Sequence, residues 1–327
     1  MGALAYRHQR VQRLRRLLGR RSVRKEEGRF VIEGANLLEE ALHAQVPIEA
    51  VYVDAGWAAS RGRHQAGAAG GATGDETGRS SPDRTGLDDD DTDLPARPER
   101  DDRLNLLIDG CFDAGARIFE LEEGVLARVA GTVTPQPVMA VVRMPVHTMA
   151  DVLARQPQLV VVCVDVRDPG NAGTVVRSAW AAGADAVVCC EGTVDMWNPK
   201  AVRSSAGAVL HVPVVAAPAP AAALEEIGRW GLHRWGTVSE GGEDYAAADL
   251  TQPCAFVLGN EAAGLPLDEL QGGLDGLVSI PMAGGAESLN VGMAAAVLCF
   301  EAVRQRRLGG PAVPVHGAGT PPALGTS

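Results

Sequence analysis

The chain has 327 residues, 46% of them apolar and only 4% aromatic, with 41 Asp and Glu against 30 Lys and Arg for a formal net charge of −11. That length suggests about two domains, since domains usually run ~100–200 residues, and so few aromatics imply cores built from Val, Leu and Ala. No apolar stretch reaches the ~18–20 residues of a membrane span, and the basic N-terminus lacks the apolar segment of a secretory signal, which makes a cytoplasmic protein without a membrane partner the expectation.

Charge is spread unevenly along the chain. Residues 1–29 hold ten Lys or Arg and two Glu, a local balance of +8, whereas residues 75–102 hold eleven Asp or Glu and four Arg, a balance of −7. In the basic segment RHQRVQRLRRLLGRRSVRK, a helix over about 7–19 places Val11, Leu14, Leu17 and Leu18 near helical spacing, to pack inward with the arginines outward. The arginines form either a solvated helix face or an RNA-binding surface. Nine arginines with a single lysine favour bidentate phosphate contact, with Arg7, Arg10, Arg13, Arg16, Arg20 and Arg21 as the candidates.

A strand near 30–33, a helix over 35–44 and a strand over 49–53 follow. Residues 58–103, rich in Gly, Ala, Asp, Thr and Arg and holding the run Asp88 to Asp91, offer too little apolar surface to offset ordering entropy and read as a disordered insert. The aspartate run lacks a turn frame and reads as solvated, so no metal is expected. Strand and helix signals resume at LNLLIDGCFDAGARIFEL with a helix, strand, helix and a strand ending near 143, completing a small α/β domain over residues 1–144.

Residues 145–158 lead into a second domain over residues 145–309. Strands near 159–166, 185–190, 211–215, 234–238, 254–258 and 277–280 alternate there with helices. Their continuous apolar character suits a parallel sheet covered on both faces. The tail, residues 310–327, is rich in Gly, Pro and Ala and reads as disordered. Cys111, Cys163, Cys189, Cys190, Cys254 and Cys299 form no C-x-x-C pair and sit mostly in apolar runs, as buried free thiols do. His211 and His233 read as strand-start residues.

Two segments of the second domain carry chemistry. FVLGNEAAGLP at 256–266 and SIPMAGGAESLNVGMAAAVL at 279–298 each run from an apolar strand into a turn of small residues, and two such turns side by side make a pocket. No P-loop Lys-Ser/Thr occurs, and the G-x-G at 317–319 lies in the tail, so neither a phosphate cradle nor a dinucleotide fingerprint is present. Backbone amides and carbonyls with apolar walls from Leu258, Ile280, Met282 and Leu289 suit a flat heteroaromatic ring with a thioether or sulfonium chain. S-adenosylmethionine answers that description better than a nucleotide polyphosphate. A third segment, LVVVCVDVRDPGNAGTVVRSAWAAGADAVVCC at 159–190, reads as one strand-helix-strand unit, its helix opening near Asn171 with Arg177 on its body.

Over residues 157–307, DPGNAGTVVRSA, LGNEAAGLP and IPMAGGAESLNV stand in the order and spacing of the three motifs of the SpoU, or TrmH-like, family of RNA ribose 2′-O-methyltransferases, in the SPOUT superfamily, and closely resemble them. RFVIEGANLLEEAL at 29–42 is similar to the opening of the ribosomal-protein-like α/β domain that recruits RNA in this family. The resemblance implies a knotted parallel-sheet methyltransferase domain, a trefoil knot that periodicity alone does not reveal, and a homodimer in which each arginine often completes the partner's site. It implies methyl transfer from S-adenosylmethionine to a ribose 2′-hydroxyl, in ribosomal (23S) RNA because the small domain is present. A transfer RNA substrate and a noncatalytic RNA-binding or ribosome-assembly factor are the alternatives.

Residue by residue, the resemblance makes Asn171, Arg177, Glu261, Ser288 and Asn290 catalytic. It gives Leu258, Gly259, Ile280, Met282, Leu289 and Asn290 to the methyl donor. Arg177 is always protonated, so electrostatic activation of the hydroxyl and a grip on the neighbouring phosphate rank ahead of proton acceptance. Asn171 and Ser288 also read as helix N-caps, and Glu261 as the cap of the next turn. The chain departs from the family in VGMAAAV after Asn290, where a serine often follows the valine, and in its acidic insert.

Overall fold

The computed structural model describes residues 2–55, 97–130, 136–217, 219–270 and 272–309. It divides into two compact units, Met1–Met144 and Pro145–Ser327. Residues 58–96 of the expected insert and the tail 310–327 lie outside the described residues. The expected insert extends too far, because residues 97–103 already belong to a helix.

In the first unit, α1 (Gln9–Gly19) buries Val11, Leu14 and Leu17 completely, as their spacing requires. A second helix, α2 (Arg21–Glu27), goes unrecognised in the sequence because it is short and almost entirely polar. It ends at Gly28, whose φ of 59° supplies the left-handed closing residue. Its Arg24 is buried and donates from Nη1 to the Leu17 and Leu18 carbonyls at 2.6 and 3.1 Å, closing the end of α1. Next come β1 (Arg29–Glu33), α3 (Ala35–His43), β2 (Ile48–Asp54), α4 (Arg97–Asp113), β3 (Arg117–Leu121), α5 (Val125–Ala130) and β4 (Val138–Arg143). The sheet order is β1-β4-β2-β3, with β2–β3 parallel and the other two pairs antiparallel. Glu49 on β2 accepts from Arg13 and Arg29, and hydrogen bonding to Arg13 leads in holding its carboxyl below the usual range against the effect of burial.

The second unit opens with α6 (Met149–Leu153), set by a capping box between Thr148 and Asp151. It continues through β5 (Leu159–Cys163), α7 (Pro169–Ala181), β6 (Ala186–Cys189), α8 (Pro199–Ser204), a 3-10 turn at Ala208–Leu210, β7 (Val214–Ala216), α9 (Pro220–Arg229), β8 (His233–Val238), β9 (Glu243–Asp244), β10 (Cys254–Leu258), β11 (Gly276–Ser279) and α10 (Val291–Gly309). All strand pairs are parallel, in the order β7-β6-β5-β10-β8-β11-β9. Every residue of the central strands β5 and β10 is buried, which is why both read as unbroken apolar runs. The expected strand over 159–166 stops at Cys163, because Asp165 takes a left-handed φ of 57° and turns the chain. The strand expected over 211–215 begins at Val214. His211 closes the 3-10 turn and stacks on Trp180 with ring centroids 4.5 Å apart, so only His233 starts a strand.

Helix contacts are set by glycine. A Cβ on Gly173 of α7 would lie 1.9 Å from Ser204 Oγ and 2.3 Å from the Ala201 carbonyl, so α7 meets α8 only through a bare backbone. A Cβ on Gly292 of α10 would lie 2.6 Å from Thr174 Cγ2. Gly292 thus seats α10 against α7.

Candidate active site

Parallel sheets bind ligands outside the carboxyl ends of their strands, where loops diverge. Three such loops are fastened together here. After β10, Asn260 accepts at Oδ1 from the Ala262 and Ala263 N–H groups, each at 3.0 Å, and donates from Nδ2 to the Asp165 carbonyl at 2.9 Å. The β10 turn is thereby pinned to the loop after β5. Within that turn, Gly259 has no room for a side chain: a Cβ would lie 2.3 Å from the Gly264 carbonyl carbon and 2.5 Å from Leu265 N.

Glu261 reaches the start of α7. Its Oε1 accepts from the Asp168 N–H at 3.0 Å and from Asn171 Nδ2 at 3.1 Å, and its Oε2 accepts from the Arg167 N–H at 3.1 Å. Burial works to raise its pKa, but these donors, with Asp168 foremost, outweigh it and hold the carboxyl below the usual carboxylate range. Glu261 therefore serves the first turn of α7.

The N-cap of α7 is Asp168, whose Oδ1 accepts from the Asn171 N–H at 2.9 Å, with Pro169 in the first helical turn. Lys200 donates to its other oxygen at 2.8 Å. The expectation that Asn171 caps this helix is corrected: it stands in the first turn, with its side chain free to bridge.

That bridge fixes a directional chain of amides. Asn290 Nδ2 donates to Asn171 Oδ1 at 2.8 Å, and Asn290 Oδ1 accepts from the Gly292 N–H at 2.9 Å. A carboxylate only accepts and a backbone N–H only donates, so Glu261 at one end and Gly292 at the other dictate the orientation of both amides. Asn290, not Ser288, caps α10. Ser288 is exposed and lines the cleft beside it.

The three loops enclose a cleft of about 580 Å³, within the range of small-molecule sites. Asn171, Glu261, Ser288 and Asn290 line it, as do Gly259, Ile280, Met282 and Leu289. Leu258 does not; it is wholly buried in β10, and Leu265 and Val278 are among the apolar residues that line the cleft. Arg177 does not line the cleft either. It is exposed on the body of α7 and makes no hydrogen bond or ion pair among the described residues.

Sequence reasoning overlooked Thr237, Ser239 and Glu240, which line the cleft at the carboxyl end of β8. Thr237 Oγ1 donates to the Val257 carbonyl at 2.9 Å and ties β8 to β10. The available signal was position alone: a threonine near the end of a parallel strand and Ser-Glu directly after it. The lining contains two carboxylates, Glu240 and Glu261, and neither Lys nor Arg. Such a cleft repels polyphosphates and suits a cationic ligand with an apolar body, which fits S-adenosylmethionine.

No cysteine lines the cleft. Burial pushes those of Cys111, Cys190 and Cys299 up to about 12 and that of Cys254 to about 11, far from a reactive thiolate at neutral pH. No group of three or more His, Cys, Asp or Glu able to hold a metal occurs among the described residues. No described helix is long and apolar enough to cross a membrane. In the first unit, Arg7, Arg16, Arg20 and Arg21 are exposed. Arg13 differs from the other arginine candidates because it is paired with Glu27 and Glu49.

Comparison with known proteins agrees with this geometry. Residues 158–300 match the model of the SpoU rRNA Methylase family, and residues 8–74 match the MRM3-like substrate binding domain. The chain is 38% identical over 190 residues to the 23S rRNA (guanosine(2553)-2'-O)-methyltransferase RlmP of Bacillus subtilis (strain 168), covering 58% of this chain and 73% of that one. It is 35% identical over 212 residues to the 23S rRNA (guanosine-2'-O-)-methyltransferase RlmB of Ralstonia nicotianae, covering 63% and 84%. Among solved structures, the SpoU methyltransferase AviRb of Streptomyces viridochromogenes in complex with AdoMet superposes with a TM-score of 0.71 at 28% identity, over 93% of this chain and all of that one. With these matches in both units, the chain belongs to the SpoU rRNA methylase family.

Proposed function

We propose that this chain transfers a methyl group from S-adenosylmethionine to a ribose 2′-hydroxyl of 23S ribosomal RNA. The observation that carries the reading is the cleft in which the three motif loops are locked together by Glu261, Asn171 and Asn290, acidic and without a cation. S-adenosylmethionine would supply a methyl on a sulfonium; the oxygen–carbon bond forms as the sulfur–carbon bond breaks, leaving the neutral thioether S-adenosylhomocysteine, and the hydroxyl proton passes to solvent water.

Gly259, Ile280, Met282 and Leu289 present backbone and apolar surface to the adenosine and thioether body. Glu240 and Glu261 favour the positive charge. Ser288 and Asn290 stand on the substrate side, and Asn171 orients the ribose. Arg177 stabilises the developing alkoxide and holds the adjoining phosphate. It acts from the other subunit of a homodimer, because its place on α7 lies outside its own cleft.

A further feature supports the dimer. Met293 and Phe300 stand 50% and 49% exposed, and their spacing of seven residues puts them on one face of α10. The opposite face, with Ala295, Leu298, Cys299 and Ala302, is buried in the unit. The first unit, with its basic helix, recruits the RNA.

The test is titration calorimetry with S-adenosylmethionine alongside transfer of labelled methyl to 23S rRNA. Arg177→Ala keeps donor affinity and loses ~10²–10³-fold in transfer, the usual cost of one preorganised charge-stabilising donor. A mixture of Arg177→Ala with Gly259→Val subunits recovers activity above either alone, since one site in each mixed dimer has both an intact cleft and an intact arginine. Equal transfer by Arg177→Ala and the parent chain removes this mechanism.

A further inference from the structure

The arginines of the first unit fall into two groups. Arg13, Arg29 and Arg103 are neutralised by Glu27, Glu49 and Glu39, Arg117 stands 3.6 Å from Glu49, and Arg24 is buried against carbonyls. Arg10, Arg15 and Arg128 make no ion pair among the described residues, Arg15 donating from Nη1 only to Gln12 Oε1 at 3.1 Å, although Glu120, Glu122 and Glu123 lie close to Arg128 in sequence. Aromatic rings hold them instead. The Arg15 and Arg128 guanidinium carbons lie 4.8 and 4.0 Å from the centre of the Tyr6 ring, and that of Arg10 lies 4.5 Å from the centre of Phe119.

These rings are themselves anchored. Tyr6 and Phe119 pack in the core of the first unit, Phe119 beside Tyr52 with centroids 5.5 Å apart, and Gln12 donates to the Tyr6 carbonyl at 2.7 Å. Stacking occupies the face of a guanidinium and leaves its N–H edge, the part that grips a phosphate, directed away from the ring. Two cations on one ring repel each other, and an anion placed between their edges relieves that repulsion. Preorganised positive charge without a carboxylate partner is arranged for an anion brought from outside.

We infer that Tyr6, Phe119, Arg10, Arg15 and Arg128 form a platform for the phosphate backbone of RNA, extending from the start of α1 to α5. Of its three cations, only Arg10 belongs to the set expected from sequence; Arg15 and Arg128 are new, and Arg13 drops out because it is neutralised. The platform selects for a polyanion, not for a base sequence. The inference rests on the rRNA reading of the preceding subsection.

The test measures binding of the full chain to protein-free 23S rRNA at several salt concentrations. Each phosphate contact contributes ~0.7–0.9 to the slope of log affinity against log salt, so the double variant Arg15→Gln, Arg128→Gln should lower that slope by about 1.4–1.8. Tyr6→Leu keeps every charge and should preserve the slope while weakening binding severalfold, because the guanidiniums lose their support. Arg103→Gln removes an already neutralised charge and should leave the slope unchanged. An unchanged slope in the double variant, or an equal drop in Arg103→Gln, overturns the platform, as does a double variant that loses binding to anionic lipid vesicles but not to RNA. The parent reading fails separately, by the absence of donor binding or methyl transfer in the unsubstituted chain.

Discussion

Replacing Glu261 by Gln tests the locked loops with the least change of shape. The carboxylate accepts three hydrogen bonds, from the Arg167 and Asp168 N–H groups and from Asn171 Nδ2. An amide has one oxygen, so one carboxylate position must become an NH2. With that NH2 at Oε2, the Arg167 N–H faces a donor. With it at Oε1, the Asp168 N–H faces a donor, and Asn171 must turn over, which turns Asn290 over and leaves the Gly292 N–H facing an NH2 in its place. Every arrangement orphans at least one backbone donor, at ~1–3 kcal/mol, and removes a charge at a helix N-terminus worth ~0.3–1 kcal/mol. Glu261 is exposed, so solvent screening brings the total to about 1–2 kcal/mol. For a unit of this size the melting temperature falls by about 2–8 °C.

Tryptophan fluorescence reports that transition, since four of the five tryptophans, Trp180, Trp197, Trp230 and Trp235, lie in the second unit, and Trp57→Phe removes the signal of the first. The Glu261 carboxyl is depressed in the folded state, so its contribution is full above the ordinary value of 4.5 and is lost as the pH falls through its lowered one. The gap between parent and variant should therefore hold at neutral pH and close in acid below 4.5. Equal melting temperatures at pH 7 would refute the amide-chain reasoning.

Substitutions at three other positions probe separate parts of the second unit. Gly259→Val forces a side chain into the backbone of Gly264 and Leu265, opens the turn and should weaken S-adenosylmethionine binding about 10–100-fold by calorimetry, at a strain of ~1–3 kcal/mol. Gly173→Ala drives Cβ into Ala201 and Ser204 and should lower stability by a similar ~1–3 kcal/mol in urea. Asn290→Ala loses the cap of α10 at ~1 kcal/mol. Asn290→Asp keeps that cap but has no donor for Asn171, so it should retain most of the stability and lose transfer.

Where physics is local, the sequence was legible. Val11, Leu14 and Leu17 turn inward at helical spacing, and β5 and β10 read as fully buried strands because they are covered on both faces. The polar helix α2 escaped because its stability comes from Arg24 reaching back to α1, a contact that no periodicity encodes. Asp165 ended β5 early through a left-handed turn in a residue other than Gly. Caps were misplaced by two or three residues, from Asn171 to Asp168 and from Ser288 to Asn290, because each motif offers several capping side chains and only the fold selects one. The path of β10 between β5 and β8 joins segments far apart in the chain, which no local pattern encodes. Thr237, Ser239 and Glu240 carry no motif and enter the cleft only because β8 neighbours β10 and β11.

The most direct measurement is mass-spectrometric mapping of 2′-O-methyl nucleotides in 23S rRNA incubated with the chain and S-adenosylmethionine. A ribose methyl that appears with the parent chain and is absent with Arg177→Ala is the predicted result. A chain that is folded and binds the donor, yet leaves every ribose of that RNA unmethylated, would contradict it.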